Sequence, residues 1–154
     1  TVKAMSEVCE GAETYQQTIT KKEKFKFSEL QRIDEAIAIS SMSIARNMDI
    51  KAIIALTESG STALIMSRIR SDIPIYAFTR NEFTQRRVSL YRGVTSYPYK
   101  FRANTFSEVL AEVSKELLQS EMVRPGDLVL ITSGSPLKVE GHTNSLRIVE
   151  ISGR

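Results

Sequence analysis

The residues best suited to chemistry form a short hydroxyl-rich loop between an apolar run and a helical pattern. The loop reads TESGST over residues 57–62 and holds one glycine, Gly60. Its four hydroxyl residues are Thr57, Ser59, Ser61 and Thr62. The start of a helix attracts anions, because its backbone N–H groups are unpaired and the helix dipole places about half a positive charge there. Since Gly60 has no Cβ to obstruct the backbone, the loop is a candidate phosphate-binding site.

An ordinary helix N-cap is the alternative interpretation of this loop, because Ser and Thr are favoured at helix starts in any case. The loop does not match the GxxxxGK[ST] pattern of nucleoside-triphosphate P-loops. Glu58 lies within it, and its carboxylate would have to point away from a bound anion or pair with a base. Glu58 therefore disfavours a highly charged ligand.

A second candidate is the longest irregular segment of the second half, residues 133–144, which reads SGSPLKVEGHTN. Long loops in compact domains are often functional, and Lys138 is long enough to reach an anion. A wide connection between edge strands is the alternative interpretation. We interpret His142 as a hydrogen-bonding loop residue and not as a catalyst.

Composition narrows the kinds of site to expect. The only cysteine, Cys9, excludes an internal disulfide and a cysteine-based zinc site, and it fits a reducing cytosol. The only histidine, His142, argues against most metal sites and against a Ser-His-Asp triad. A net charge of +3 is too small to indicate nucleic acid, and no apolar run approaches the roughly 20 residues of a membrane helix. We therefore expect no metal site, no nucleic-acid partner and no membrane partner, and we find no paired carboxylates for acid–base catalysis.

Basic residues concentrate in two places. Four of them surround a helical pattern at residues 82–91: Arg80, Arg86, Arg87 and Arg92. They form a solvated helix face, a basic patch, or partners for acidic residues of a neighbouring subunit. The run KKEKFK at residues 21–26 is interpreted as a solvated linker or an edge strand, with an electrostatic contact to a partner as the alternative.

Alternating strands and helices must position these candidates. Apolar runs of strand length predict strands at residues 52–56, 74–79, 94–99, 128–132 and 146–151, and helical spacing predicts helices at 61–70, 82–91 and 105–119. Such alternation predicts a parallel sheet, to which the last two strands, having no helix between them, add an antiparallel pair. The fold class is therefore α/β, a three-layer α/β/α arrangement with a mixed, mostly parallel sheet of about five strands. Ligands of such folds bind beyond the carboxyl ends of strands, where the loop of residues 57–62 lies.

The first third of the chain is predicted to hold two helices. Residues 2–13 have an apolar helical face, but no start signal precedes it, so the helix looks cut from something larger. Residues 14–29 are interpreted as a linker with a short strand near 24–27. A long helix then opens at residues 28–29 and ends near Asn47, with small residues that allow close packing. Its predicted apolar stripe consists of Leu30, Ile33, Ile37, Ser40, Ser41, Ile44, Ala45 and Met48.

Several stretches, taken together and in order, resemble the C-terminal domain of pyruvate kinase. They are TVKAMSEVCEGAE (1–13), DEAIAISSMSIAR (34–46), IIALTESGSTALIMSRIRSDIPIYAFTRNEFTQRRVSLYRGV (53–94), PGDLVLITSG (125–134) and GHTNSLRIVEI (141–151). The TxSGxTA loop followed by PIxAxTRNExTxRxxxLYRGV, GDLVxxxxG and GxTNxxRI is specific to that family. The resemblance is greatest to bacterial forms that respond to AMP or to sugar monophosphates.

This resemblance implies that a (β/α)8 barrel precedes residue 1 and carries the Mg²⁺, K⁺, ADP and phosphoenolpyruvate sites. Residues 1–13 would be the tail of the last barrel helix, residues 14–29 a linker, and residues 30–154 the regulatory domain. The fragment would then contain no catalytic residues and no cofactor of its own. The parent enzyme would be a cytoplasmic tetramer.

The resemblance also implies how the two candidate loops work. The loop with Thr57, Ser59, Gly60, Ser61 and Thr62 would bind the phosphate of an allosteric effector. A lid loop would close over the same site, with residues Gly134, Ser135, Lys138 and Gly141. Glu58, and a lid without aromatic or arginine residues, favour a sugar monophosphate or AMP over fructose bisphosphate. The alternatives are a purely structural subunit-association domain and a free-standing sugar-phosphate or nucleotide-binding module.

Overall fold

The computed structural model of the chain describes residues 2–19, 32–69, 71–98, 105–134 and 143–153. Within these residues the strands are β1 (Ile50–Leu56), β2 (Ile75–Thr79), β3 (Val94–Pro98), β4 (Leu128–Gly134) and β5 (Thr143–Glu150). The helices are α1 (Val2–Ile19), α2 (Ile33–Asn47), α3 (Ser61–Arg68), α4 (Glu82–Val88) and α5 (Phe106–Gln119).

All five strands form one sheet in the order β3-β2-β1-β4-β5. β1 is parallel to both of its neighbours, β2 and β4, and β2 is parallel to β3. β5 pairs antiparallel with β4 and occupies one edge. The predicted mixed, mostly parallel sheet is therefore confirmed, and the carboxyl ends of the four parallel strands share one edge of the sheet.

Helices cover both faces of the sheet, which confirms the three-layer arrangement. Alternate residues of β1 face opposite sides, as the two-residue period of a strand requires. Ile53 and Ala55 pack in a cluster that also holds Ala38 and Met42 of α2, Ala63 and Met66 of α3, and Val88 of α4. Ala52 and Ile54 pack in a second cluster with residues of α5, which are Val109, Val113 and Leu117.

The start of α5 is stabilised by a capping box. Thr105 is the N-cap, and its hydroxyl accepts a hydrogen bond from the Glu108 N–H at 3.3 Å. The Glu108 carboxylate in turn accepts one from the Thr105 N–H at 3.2 Å. This reciprocal capping box satisfies two N–H groups that a helix start otherwise leaves unpaired.

Helix α1 is longer than predicted. It continues to Ile19, so residues 14–19, which were assigned to a linker, are helical. Gly11 does not end the helix. Beyond it, the Thr14 hydroxyl donates to the Glu10 carbonyl at 2.9 Å. The rest of the predicted linker, the strand near 24–27 and the helix start at 28–29 lie outside the described residues. No described helix is both long and apolar enough to cross a membrane.

The apolar stripe predicted for α2 is right in part: Ser41 and Ala45 are buried, but two other members of it are not. Ile33 is 68% exposed and Met48 is 42% exposed. The buried residues of α2 are Asp34, Ala38, Ser41, Met42 and Ala45. Small side chains on this face let the helix approach its neighbours, and its two polar members have partners: Asp34 accepts from Arg32, and Ser41 donates to the Ile37 carbonyl at 2.7 Å.

Candidate functional site

The loop of residues 57–60 leaves the central strand β1 and enters α3 at Ser61. Thr57 still belongs to the ladder of the sheet, because its N–H donates to the Phe78 carbonyl of β2 at 3.0 Å. The ends of β2 and β4 lie beside this loop, since both strands run parallel to β1. The site therefore lies at the carboxyl edge of the sheet, where the sequence analysis expected it.

The start of α3 has one side-chain acceptor among the described residues, because the Ser61 N–H donates to Ser59 Oγ at 3.4 Å. Its N-cap is Gly60, in the left-handed conformation at φ 78°, and no side-chain oxygen caps the first turn from that position. The loop therefore matches an ordinary Ser or Thr N-cap only in part: the N-cap position is glycine, while the Thr57 and Ser59 hydroxyls accept from the N–H groups of Gly60 and Ser61. Among the described residues, no acceptor is bonded to the N–H of Thr62 or Ala63. These two donors point out of the helix start, where the dipole favours an anion.

The four hydroxyl groups of the loop divide into two pairs. The Thr57 hydroxyl is buried and accepts a hydrogen bond from the Gly60 N–H at 2.8 Å, which shapes the turn. Thr62 is only 1% exposed, and its hydroxyl lies 2.8 Å from that of Thr143. Ser59 and Ser61 are partly exposed, with their hydroxyl oxygens 3.0 Å apart. Ser59 and Ser61 are therefore the two side chains of the loop that can face a ligand directly.

Helix α4 packs against the loop of residues 57–60. A Cβ added at Gly60 would lie 2.7 Å from Cγ1 of Val88 and 3.3 Å from Cγ2 of Thr84, so only glycine fits there without movement. Thr84 also donates its hydroxyl to the Glu58 carbonyl at 2.8 Å. The turn and the α4 surface are thus matched in shape.

Glu58 pairs with Arg80, as the sequence analysis required of a carboxylate in an anion loop. Arg80 follows β2, and its Nη2 lies 2.8 Å from Oε1 of Glu58. The Glu58 side chain is 20% exposed and that of Arg80 is 42% exposed. The pair therefore ties the loops after β1 and β2 together and offsets the negative charge next to the start of α3.

The remaining arginines separate into paired and unpaired ones. Arg86 pairs with Glu82, and Arg92 pairs with Glu13 of α1, each at 3.4 Å. Arg87 has no carboxylate within 4.0 Å in the part of the chain that the structure describes, and its Nη2 lies 3.7 Å from the position of a Cβ on Gly60. Arg87 therefore lies beside Gly60, a proximity that the sequence spacing does not signal.

The two candidate loops meet at their ends. Gly134 ends β4 and is in register with Thr143, the first residue of β5, next to a register shift at Ser133 and Gly134. Thr143 in turn bonds to Thr62 of α3. Ser135, Lys138, Gly141 and His142 lie outside the described residues. The predicted lid therefore remains a prediction, although its flanking residues adjoin the first turn of α3.

The arrangement offers N–H groups, two hydroxyls and a guanidinium, which are donors suited to a phosphate and not to a cation. In the described residues, no three His, Cys, Asp or Glu side chains come together in a way that would hold a metal ion.

Comparison with known proteins gives a consistent result. The family model described as "Pyruvate kinase, alpha/beta domain" matches residues 35–149. Pyruvate kinase II of Salmonella typhimurium is 39% identical over 153 residues, which is 98% of this chain and 31% of that protein. The pyruvate kinases of Buchnera aphidicola subsp. Acyrthosiphon pisum and of Haemophilus influenzae are 38% and 36% identical over 152 residues each. This chain spans 31% of the length of these three relatives.

Proposed function

The chain belongs to the pyruvate kinase family, of which it is the C-terminal alpha/beta domain, and from this premise we propose that it binds an allosteric effector and contributes to subunit assembly. The parent enzyme transfers phosphate from phosphoenolpyruvate to ADP in a cytoplasmic tetramer. Catalysis, with its Mg²⁺ and K⁺, belongs to a barrel domain of the same chain and not to these residues. Helix α1 would pack its exposed apolar side chains, Val2, Met5 and Val8, against that barrel.

The start of α3 carries the proposal. In its first turn the Ser61 N–H donates to Ser59 Oγ, whereas the Thr62 and Ala63 N–H groups have no acceptor among the described residues and are available to a phosphate oxygen. The Ser59 and Ser61 hydroxyls adjoin these donors, and Arg87 supplies a cation beside the turn. Together these groups match the three acceptor oxygens and the charge of one phosphate monoester.

Charge at the loop favours a monophosphate. Glu58 keeps a carboxylate next to the first phosphate position, and Arg80 is already engaged by it. A second phosphate near this pair would have to compete with Glu58 for Arg80. Glucose 6-phosphate, ribose 5-phosphate and AMP are therefore the effectors to test before fructose bisphosphate.

The regulatory mechanism in this proposal is a shift between two subunit arrangements. An effector held by residues 57–62, with Gly134, Ser135, Lys138 and Gly141 closing over it, would bind one arrangement more tightly than the other. It can shift the equilibrium only by that difference in affinity. The arrangement that binds phosphoenolpyruvate well would be the favoured one.

Calorimetry of the full-length enzyme with the three monophosphates tests this function. We expect one of them to bind, and we expect the double variant Ser59→Ala, Ser61→Ala to weaken that binding about tenfold or more by removing two charge-assisted hydrogen bonds. Absence of binding by every compound to the folded wild-type enzyme would contradict the proposal.

A purely structural role in assembly is the second candidate. It is favoured by the exposed apolar side chains of Phe83 and Leu90, in and just after α4, which a subunit contact would bury. The variants Ser59→Ala and Thr62→Ala separate the two functions. Lost activation with an intact tetramer supports effector binding, whereas a lost tetramer with preserved activation supports assembly alone.

A further inference from the structure

A single buried contact joins the phosphate loop to the edge of the sheet. The hydroxyl oxygens of Thr62 and Thr143 lie 2.8 Å apart, although the two residues are 81 positions apart in the chain. Thr62 is in the first turn of α3 and is 1% exposed, and Thr143 is the first residue of β5. The contact therefore bridges two elements that no backbone hydrogen bond connects within the described residues.

Helix α3 needs such a contact. It has eight residues and begins at Gly60, which supplies no side-chain cap. A helix this short has little stability of its own, so its direction is set by tertiary contacts. Thr57 fixes the turn from the β1 side, through its bond to the Gly60 N–H. Thr143 fixes the first turn from the β5 side.

We propose that Thr143 is a positioning residue for the effector site and that it acts through its hydrogen bond to Thr62. The positioning of α3 by Thr143 is independent of the proposed function, whereas its effect on phosphate binding rests on that function. The Thr62–Thr143 hydrogen bond holds the first turn of α3 in one orientation, so the N–H groups of Thr62 and Ala63 converge on one point. A phosphate bound there stabilises the start of β5, and by reciprocity an ordered start of β5 strengthens phosphate binding.

The test uses Thr143→Val in the full-length protein, because valine keeps the shape of threonine and removes its hydroxyl. Thr143→Ser is the conservative rescue. Ser145→Ala is the matched control: the Ser145 hydroxyl lies 3.0 Å from that of Ser133, so this pair joins β5 to β4 without reaching α3. Hydrogen exchange of residues 61–68 is measured in each variant, and calorimetry measures binding of glucose 6-phosphate, AMP and inorganic phosphate.

Thr143→Val is expected to speed hydrogen exchange in α3 about five-fold, as loss of one buried hydrogen bond predicts. The affinity for whichever phosphate probe binds wild type should fall by a similar factor. Serine at position 143 should restore both. Ser145→Ala should leave exchange in α3 unchanged. Thr62→Val should reproduce the effect, and combining it with Thr143→Val should add little, because both variants remove the same bond.

Unchanged exchange in α3 on loss of either hydroxyl would overturn the inference, whether or not a probe binds. Faster exchange in α3 with no probe bound by wild type would uphold the positioning role and contradict the proposed function instead. Weaker probe binding with unchanged exchange would assign Thr143 a role other than positioning and would also overturn the inference. If Thr143→Val does not fold, Thr62→Val carries the same comparison.

Discussion

Arg80 donates both its Nε and its Nη2 to one oxygen of Glu58, Oε1, at 3.1 and 2.8 Å. The two residues follow neighbouring parallel strands, so the pair closes the gap between the loops after β1 and β2. The Glu58–Arg80 pair also sets the local charge around a ligand bound at the start of α3. With the pair intact, Arg80 is committed to Glu58, and the charge next to a bound phosphate is nearly balanced.

Glu58→Gln should therefore alter selectivity. Loss of the carboxylate releases Arg80 and removes a negative charge from the loop, which favours a ligand with a second phosphate. We expect the ratio of fructose 1,6-bisphosphate affinity to glucose 6-phosphate affinity to rise about three- to ten-fold, a modest change because the pair is partly exposed. Calorimetry with the two sugars measures this ratio.

Glu82→Gln is the matched control for that experiment. It makes the same change in net charge and frees Arg86 from a pair in which both side chains are 82% exposed. We expect no change in the ratio of the two affinities. An equal response of both variants would show that overall charge, and not the Glu58–Arg80 pair, sets the selectivity.

Gly60→Ala should destabilise the loop more than an equivalent change elsewhere. Gly60 and Gly93 both have positive φ, at 78° and 69°. A Cβ at Gly60 would lie 2.7 Å from Val88 Cγ1, whereas a Cβ at Gly93 meets nothing within 4 Å. We expect Gly93→Ala to cost about 1–2 kcal/mol of stability from backbone strain, and Gly60→Ala to cost about 1–3 kcal/mol more from overpacking.

Urea unfolding measures the free energy of unfolding of both glycine variants. Phosphate binding should be lost only in Gly60→Ala, because the added methyl group displaces the turn from α4. Equal destabilisation by the two substitutions would mean that α4 gives way without cost, so that the fit between the turn and Val88 has no role in shaping the site.

Tyr76 should make the fold sensitive to alkaline pH. Burial, and then the charge of the neighbouring Tyr97, raise the pKa of Tyr76 above the usual 10.0. The two rings meet edge to face with their centroids 5.7 Å apart. Because the folded state keeps this proton longer than the unfolded state, stability is complete below about pH 10 and falls as pH rises through the folded pKa.

Thermal unfolding between about pH 8 and pH 11, a range that spans the usual tyrosine pKa of about 10, tests this dependence. Tyr76→Phe should flatten the loss of stability at the alkaline end. Tyr91→Phe removes a hydroxyl on the other side of the sheet and controls for the loss of a hydroxyl alone. An identical alkaline slope in wild type and Tyr76→Phe would contradict the prediction.

Local patterns were sufficient for most of the fold. The alternation of apolar strands and helices predicted the mixed sheet with its antiparallel last pair. Pattern failed where residue size and not polarity decides packing: α2 buries Ala38, which was not in the predicted stripe, and exposes Ile33, which was. A count of apolar residues assigns the larger side chain to the core, whereas close packing of two helices requires the smaller one.

The position of the candidate loop in the fold was predictable, but the contacts that support the loop were not. The order strand, small-residue loop and helix located residues 57–62, and the presence of Glu58 predicted a basic partner. The bond between Thr62 and Thr143 spans 81 residues and has no local signal. The same is true of Arg87 and Gly60, which become neighbours only because β1 and β2 are adjacent and parallel.

Arg87 should contribute to phosphate binding through its charge. Its guanidinium lies over the Phe83 ring, 5.8 Å from the centroid, and beside the Gly60 turn. We expect Arg87→Gln to weaken binding of the monophosphate effector about three- to ten-fold, with a smaller effect at high salt because the group is exposed to solvent. Arg86→Gln removes the same charge from the adjacent residue, which is engaged by Glu82, and should leave the affinity within about two-fold of wild type. Calorimetry at low and high ionic strength compares the affinities of the two variants. Equal losses of affinity in both would mean that Arg87 acts only through the overall charge of α4.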